Sequence, residues 1–409
     1  MPSEYHGIHQ AVETHTRQTI ALVTPSFTPA EAFGGPVTAI ATLTRSLCKS
    51  GYVVKIYTTN VLDPQRPNMS YGLPSLEHIE GVTIKRYRPL FTIFGYWVTP
   101  MILKDLLTDP FDIINAHCVR SFQFDIAALV SWIKNRKLIA TPHGSLYSYG
   151  AIPHGLRRLL FSAHNAILKF VFRRAHTVVA TSPEEENQFT RFGLDIGKIV
   201  PLQNFLDETQ FVNLPSPGEF RKQQGIGLDE NVILFLGRLD RIKGLDLLLR
   251  AFSKIAKRMD GVWLVIVGPD GGYQRTIKQM INGTEFSSHV LLAGPRYGRS
   301  KLQALVDSTI VVVPSYYESF GITALEASFS GKAVVASKVG GLPDLVVHGE
   351  TGLLFEKGNV DQLVDSLEWA LTNPKTLKLM GHKGRQRAFS LYSSSAVEKS
   401  VALLYSQSY

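Results

Sequence analysis

Short β-branched apolar runs alternate with helix-like stretches along the chain, and the alternation happens twice. In the first half the runs are Thr19 to Thr24, Val53 to Thr58, Val82 to Tyr87, Ile113 to Asn115, Lys137 to Ala140 and Thr177 to Ala180. In the second half they are Val232 to Leu236, Trp263 to Val267, Val290 to Leu292, Ile310 to Val313 and Ala333 to Ala336. Strands that are apolar throughout are covered on both faces, and strands separated by helices pair in parallel. A chain of 409 residues exceeds what one hydrophobic core holds. The doubled pattern therefore predicts an α/β protein of two domains, each a parallel sheet wrapped by helices. Leu214-Pro215-Ser216-Pro217-Gly218 breaks the alternation and reads as the linker region. We expect a loose polar tail over residues 1–18, a first domain over 19–205, a second over 206–389, and a closing helix from about Ser390 to Tyr409.

Composition narrows the class. Hydrophobic residues make up 44% of the chain, enough to fill two cores, and no apolar run reaches the length of a transmembrane helix. The polar start has no apolar h-region of a leader peptide. Cys48 and Cys118 stand far apart, which reads as reduced thiols in a cytoplasmic protein, with no metal site built from them. The net charge of +9 is unevenly placed: no acidic residue falls between Asp125 and Glu184, where Lys134, Arg136, Lys137, Arg157, Arg158, Lys169, Arg173 and Arg174 all lie. Within that stretch, residues 157–174 are apolar with cationic ends. Such a helix can lie on an anionic bilayer at the inner face of the cell membrane, or it can be buried with its ends solvated, and both readings stay open. Nucleic acid is not expected as a partner, because no recognition module or interleaved stacking aromatics accompany the charge.

Two strand-to-helix junctions in the second half carry chemistry. After the run Thr309 to Val313 comes Glu318-Ser319-Phe320-Gly321-Ile322-Thr323-Ala324-Leu325-Glu326, an E-x7-E pattern in which Gly321 opens a helix. Glu318 then sits in the loop at a strand's carboxyl end, where open α/β sheets bind ligands. Glu326 lies about one and a half turns along the helix, an acceptor suited to a ribose diol. Two solvated surface acids are the plain alternative. Earlier in the chain, Asn231 to Leu236 ends in Gly237-Arg238-Leu239-Asp240-Arg241-Ile242-Lys243-Gly244, with a helical pattern from Leu245. A planar guanidinium and a compact ammonium flanking such a loop suit a pyrophosphate near a positive helix N-terminus.

In the first half, Gly34-Gly35 follows the first strand and precedes a helix near Pro36, which lets backbone approach a phosphate or sugar closely. His143 follows Leu138 to Pro142 at another strand end and can face a cleft, whereas His117 and His154 lack such a context and read as structural. Gly340-Gly341 ends a further strand and would place backbone amides in the same crevice.

These pieces resemble a known family, the retaining glycosyltransferases of family 4, which have the GT-B fold of two Rossmann-like parallel-sheet domains facing each other across a cleft. The matching segments begin with Phe33-Gly34-Gly35-Pro36, His143-Gly144-Ser145-Leu146, Ala180-Thr181-Ser182-Pro183-Glu184 and Pro201-Leu202-Gln203-Asn204. They continue, in the family's order, with Gly237-Arg238 and Lys243-Gly244, Val267-Gly268-Pro269-Asp270-Gly271, Ala293-Gly294-Pro295, Pro314-Ser315 with Glu318 to Glu326, and Val339-Gly340-Gly341-Leu342-Pro343-Asp344. One departure is Gln203-Asn204-Phe205, where relatives read Asn-Gly-Val. The resemblance implies that Arg238 and Lys243 neutralise a diphosphate leaving group, that His143 hydrogen-bonds the donor sugar, that Glu318 with Ser319, Phe320 and Gly321 binds the transferred sugar, and that Glu326 holds the ribose. It also implies that Gly34 and Gly35 face the donor's phosphate, that Gly268 lies on the donor side, that Gly294, Pro295 and Arg296 grip the nucleobase, and that the C-terminal helix returns to the first domain.

No Asp-x-Asp pair occurs in the chain, so the usual carrier of a divalent metal to a diphosphate is missing, and neither metal nor cofactor is expected. The resulting reading is a glycosyltransferase that moves a hexose or hexosamine from a nucleotide sugar, UDP favoured over GDP, to a glycan or lipid-linked acceptor in lipid-linked glycan or surface polysaccharide synthesis. One rival is a sugar-nucleotide 2-epimerase of the same fold, whose acid/base carboxylate pairs are not found at matching positions. The other is a catalytically silent binding subunit, which would need the loss of Arg238, Lys243 or Glu326. First-domain loops such as Val61 to Leu76 and Leu90 to Pro100 define the acceptor and match nothing specific.

Overall fold

The computed structural model describes residues 18–67, 69, 71–93, 96–146 and 156–406. The expected tail up to residue 17, His154 and the last three residues of the closing helix lie outside the described residues. The first sheet begins with β1 (Thr19–Val23), β2 (Val53–Thr59), β3 (Leu76–Ile79) and β4 (Val82–Tyr87). A separate hairpin of β5 (Phe91–Ile93) and β6 (Tyr96–Val98) follows. The sheet is completed by β7 (Ile113–His117), β8 (Lys137–Thr141), β9 (Thr177–Ala180) and β10 (Ile199–Pro201). Its order is β10-β9-β8-β7-β1-β2-β4-β3, parallel except for β3 against β4. The second sheet contains β11 (Asn231–Leu236), β12 (Val262–Val267), β13 (Val290–Gly294), β14 (Ile310–Val313), β15 (Val334–Ser337) and β16 (Gly352–Phe355). Its order is β13-β12-β11-β14-β15-β16, with every pair parallel. The doubled alternation is thus two parallel-sheet α/β domains.

The apolar pattern does not mark β3, β5, β6, β10 or β16, for a common reason. β3 and β5 are largely exposed, β6 is only half-buried, β10 is three residues ending in Pro201, and β16 starts at Gly352, so none has a long buried run.

Alternate residues along the central strands build the layers. On β11, Ile233 and Phe235 enter the core shared with helices Leu245–Ile255 and Val360–Thr372, while Val232, Leu234 and Leu236 enter the core shared with helix Ile322–Phe329. On β1, Ala21 and Val23 face helices Phe122–Ile133 and Leu156–Arg174, and Ile20 and Leu22 face helix Gly35–Lys49. Each fully buried Val, Leu, Ile or Phe contributes roughly 1.5–3 kcal/mol, so these apolar layers hold the two sheets rigid.

The chain crosses between the domains twice, and the crossings are bonded to each other. Leu206 N–H donates to Tyr392 O and Ser394 N–H donates to Leu206 O, both at 2.9 Å. Helix Ser394–Ser406 then inserts Val397, Val401, Leu404 and Tyr405 into the first domain's core beside Ile20 and Leu22. Asn115 Nδ2 donates to the buried Tyr405 Oη at 2.6 Å. Strand order reverses between β1 and β7 in one sheet and between β11 and β14 in the other, where α/β sheets open a ligand crevice at their carboxyl ends. The two crevices face each other: a Cβ on Gly35 would lie 3.1 Å from Ile322, and one on Gly144 would lie 2.4 Å from Ser319.

Candidate active site

A cavity of about 320 Å³ fills the space between the crevices. Its lining includes Gly34, Gly35 and His143 from the first domain and Gly237, Arg238, Lys243 and the loop Glu318 to Gly321 from the second. An adjoining compartment of about 140 Å³ shares Gly34, Gly35, Gly237 and Arg238 and extends to Gly268, Arg296, Lys301 and Glu326. Asn204 also reaches the main cavity, while its neighbour Phe205 is buried in the first domain's core, so the departing hinge-side loop borders the site.

The second domain supplies the charges. Arg238 follows the end of β11 and donates from Nη2 to Asp240 Oδ2 at 3.1 Å. Asp240 also caps the short turn Arg241–Lys243 by accepting from Ile242 N–H at 3.2 Å, so one carboxylate orients the guanidinium and the turn that carries Lys243. Lys243 Nζ donates to Glu318 Oε2 at 2.6 Å, and Ser315 Oγ donates to the same oxygen at 3.3 Å. Glu326 is 5% exposed, and Lys301 Nζ donates to its Oε1 at 2.5 Å. Nothing in the sequence pattern marks Lys301, because its meeting with Glu326 depends on how helix Gly298–Asp307 packs beside helix Ile322–Phe329.

Four of the expected donor-side residues do not line either compartment. A Cβ on Gly340, whose φ is +54°, would sit 1.5 Å from the Glu318 carbonyl oxygen, and Gly341 N–H donates to that oxygen at 3.2 Å. These glycines therefore pack against the backbone of the Glu318 to Gly321 loop, and the Gly341 amide is taken up by the Glu318 carbonyl. Gly294 O accepts from Gly268 N–H at 3.0 Å, and of the Gly294-Pro295-Arg296 segment only Arg296 lines the site.

On the first-domain side, the turn after β8 places His143 and Gly144 in left-handed conformations, with φ of +53° and +73°. Glu185 braces it. Gly144 N–H donates to Glu185 Oε1 at 2.6 Å, and Thr181 N–H and Oγ1 donate to Oε2 at 2.8 and 2.7 Å. Burial pushes the Glu185 carboxyl above its ordinary pKa, against the pull of those donors. His143 Nε2 lies 3.0 Å from Nδ1 of the fully buried His117, the rings stacked at 5.2 Å between centroids. His117, read from sequence as merely structural, thus sits directly behind a cavity-lining residue. The signal for it is the β7–β8 pairing, which sets His117 beside Thr141.

His143 keeps some surface toward the cavity, yet its Nδ1 is shielded from solvent and has no protein partner among the described residues. Burial pushes its pKa down to about 4, and burial with the neighbouring His143 pushes that of His117 well below the ordinary range, so both rings are neutral at pH 7. An unfolded imidazole takes up its proton near pH 6.5 and the folded His143 does not until about pH 4. Stability is therefore lost as pH falls through that window. Between pH 7 and pH 5, urea unfolding should show His143→Gln losing about 1 kcal/mol less than the parent, a figure discounted for the open side of the ring. Equal losses would mean that His143 titrates normally.

Among the described residues, no three His, Cys, Asp or Glu side chains cluster as a metal site, and no helix is long and apolar enough to cross a membrane. The family model described as Glycosyltransferase Family 4 matches residues 33–210, and the model described as Glycosyl transferases group 1 matches residues 217–387. The chain is 25% identical over 403 residues to an uncharacterized glycosyltransferase of Methanocaldococcus jannaschii, covering 94% of this chain and 97% of that one. Its fold is similar to that of sucrose-phosphate synthase from Thermosynechococcus elongatus, with a TM-score of 0.77 and 23% identity over 96% of this chain and 99% of that one. It is also similar to Anabaena HepE solved in complex with UDP-glucose, with a TM-score of 0.75 and 19% identity over 96% and 100% of the two chains. The two family matches meet at the Leu214-Pro215-Ser216 break and fall one on each sheet domain, and the chain accordingly belongs to glycosyltransferase family 4, with the GT-B fold.

Proposed function

We propose that this glycosyltransferase moves a hexose or hexosamine from a nucleoside diphosphate to a glycan or lipid-linked acceptor, with retention of anomeric configuration and without a metal ion. The observation that carries the reading is that Arg238 lines two adjoining compartments, one shared with Lys243 and Glu318 and the other with Glu326. As the glycosidic bond breaks, charge builds on the departing β-phosphate oxygen. Cations already held by Asp240 and Glu318 stabilise that charge without reorganising. Glu318, with Oε2 engaged by Lys243 and Ser315, accepts sugar hydroxyls through Oε1. An ammonium-bound carboxylate is a poor nucleophile, so no covalent role is assigned to it. His143 lines the cavity with a neutral ring, and its hydrogen bond to a sugar hydroxyl requires the shielded Nδ1 to turn toward that space.

Glu326 accepts from the ribose, and Lys301 holds its carboxylate in orientation. A preference for UDP over GDP is supported by the likeness to HepE, which was solved with UDP-glucose. A lipid-linked acceptor at the inner face of the membrane is supported by the apolar surface of the first domain.

A screen of nucleotide sugars for acceptor-free hydrolysis names the donor and tests the reading directly: turnover of none, with no nucleoside diphosphate bound, would sink it. Once the donor is known, Glu326→Ala should weaken nucleoside diphosphate binding roughly ten- to hundredfold, as expected for a buried charged hydrogen-bond partner. Calorimetry that finds parent-like affinity in this variant would remove the ribose assignment.

A further inference from the structure

Helix Leu156–Arg174 carries apolar residues on two sides. One side is buried, with Leu168 and Phe172 in the first domain's core. The other is open: Leu160 is 46% exposed, Ile167 54% and Phe170 44%, and with the exposed Ala163 they recur every three or four residues as one stripe along the helix. The last turns of helix Phe122–Ile133 add Leu129, Trp132 and Ile133, all exposed, to the same face, and Trp132 meets Phe170 edge to face at 5.2 Å. A groove of about 430 Å³ runs between the two helices, lined by Leu129, Trp132, Ile167 and Phe170.

Cations border this groove. Arg174 lies over the Trp132 ring at 4.5 Å and the Phe170 ring at 4.9 Å, Arg136 lines the groove, and Arg158, Lys169 and Arg173 are exposed along the helix. The acidic lining residue, Asp125, is engaged by His164 at 3.2 Å, and helix Leu156–Arg174 has no Asp or Glu. Hairpin β5–β6 exposes Leu90 at its base with Phe91 and Ile93, and Tyr96 Oη is 2.6 Å from His164 Nδ1, so a second open apolar element leans on the same helix. Between β11 and β16 the described residues expose only Tyr297 among large apolar side chains. A contiguous open apolar face of this kind marks a binding surface, and its cationic rim selects an anionic one.

We propose that this face docks the protein on an anionic phospholipid bilayer, with Trp132, Ile167 and Phe170 entering the acyl boundary and Arg136, Arg173 and Arg174 meeting lipid phosphates. Guanidinium groups stacked on aromatic rings keep their hydrogen-bonding forks free for phosphate, and Trp favours the interface between apolar and wet layers. The proposal rests on the lipid-linked acceptor for its purpose, but its test does not depend on it.

The test is flotation of the full-length protein with vesicles of phosphatidylcholine alone or mixed with phosphatidylglycerol, at low and high salt. The parent should float with the anionic vesicles, less so as salt rises, and not with the neutral ones. Ile167→Glu combined with Phe170→Glu should abolish flotation. Arg173→Glu combined with Arg174→Glu should weaken it by about tenfold or more, at roughly a kcal/mol per cation. UDP binding by calorimetry should be unchanged in both variants, since none of these residues lines the donor cavity. Lost flotation with intact UDP binding supports the docking face. A parent that fails to bind UDP yet floats would fault the donor reading alone. Equal flotation with neutral and anionic vesicles, or retained flotation in either double variant, overturns the proposal. A parent that does not float and forms a dimer that Ile167→Glu dissociates assigns the face to a second copy of the chain.

Discussion

Arg238→Ala should lower kcat by about 10²–10³, and Lys243→Ala should lower it comparably, with the donor's KM moving far less in both. The asymmetry follows from where the charge appears. The diphosphate gains its extra negative charge only as the sugar departs, so a cation aimed at the leaving oxygen acts more on the transition state than on the bound donor. Both cations are fixed before the reaction: Arg238 by Asp240 at 3.1 Å, Lys243 by Glu318 at 2.6 Å. A lysine at 238 should restore little, because a point charge cannot reproduce two parallel guanidinium hydrogen bonds to phosphate oxygens. Lys243→Ala has a second consequence, since it leaves the half-buried Glu318 carboxylate with Ser315 Oγ alone. Adding Glu318→Gln to it should cost less than the two single losses predict.

Transfer should also persist in excess chelator. The decisive measurement is initial rates with the identified donor, with and without chelator, on protein checked by circular dichroism. Activity abolished by chelator and restored by manganese, or an Arg238→Ala enzyme within about threefold of the parent, would overturn the metal-free mechanism.

Several residues that line the cavity were legible in the sequence because they sit at strand ends. An apolar run such as Asn231 to Leu236 announces its own terminus, and whatever charged residue follows must lie at the carboxyl edge of a parallel sheet. That logic puts Arg238, Lys243, Glu318 and His143 each just past a strand's carboxyl end, and the packing of the two domains then brings all four to one cavity. It fails where a side chain meets a partner from another element. Lys301 finds Glu326, Glu185 finds Gly144, and His117 finds His143 only once helices and strands have taken their register. Glycine is ambiguous for a related reason: a missing Cβ makes room equally for a ligand or for another stretch of backbone, and at Gly340 it is the Glu318 carbonyl that fills the space. Helix Leu156–Arg174 is the same problem on a surface. Its apolar residues recur on two faces, and only the burial of Leu168 and Phe172 decides that Ile167 and Phe170 are left outside.

A single methyl group at position 144 should slow transfer by about 10²-fold while the fold survives. Gly144 has φ +73°, and a Cβ there would lie 2.4 Å from Ser319 Cβ, 2.6 Å from Ser319 Oγ and 3.3 Å from Tyr317 Oη. The backbone term alone costs about 1–2 kcal/mol for an L-residue in the left-handed region, which a protein of this size tolerates. The contact is harder to absorb because Ser319 belongs to the opposite domain, in the loop that carries Glu318, while Gly144 is the neighbour of His143. Relief therefore comes either from opening the cleft or from displacing His143 or Glu318, and a displacement of about 1 Å at a reacting centre is enough for the predicted loss. Ser319→Gly removes the two nearest atoms, so Gly144→Ala with Ser319→Gly should recover part of the rate lost by Gly144→Ala alone, leaving the backbone strain and the 3.3 Å approach to Tyr317 Oη. Measuring kcat and KM for the parent, both single variants and the double variant gives the coupling directly. Losses that simply add across the cycle, or a Gly144→Ala enzyme within about threefold of the parent, would show that the domains do not need this close approach to catalyse transfer.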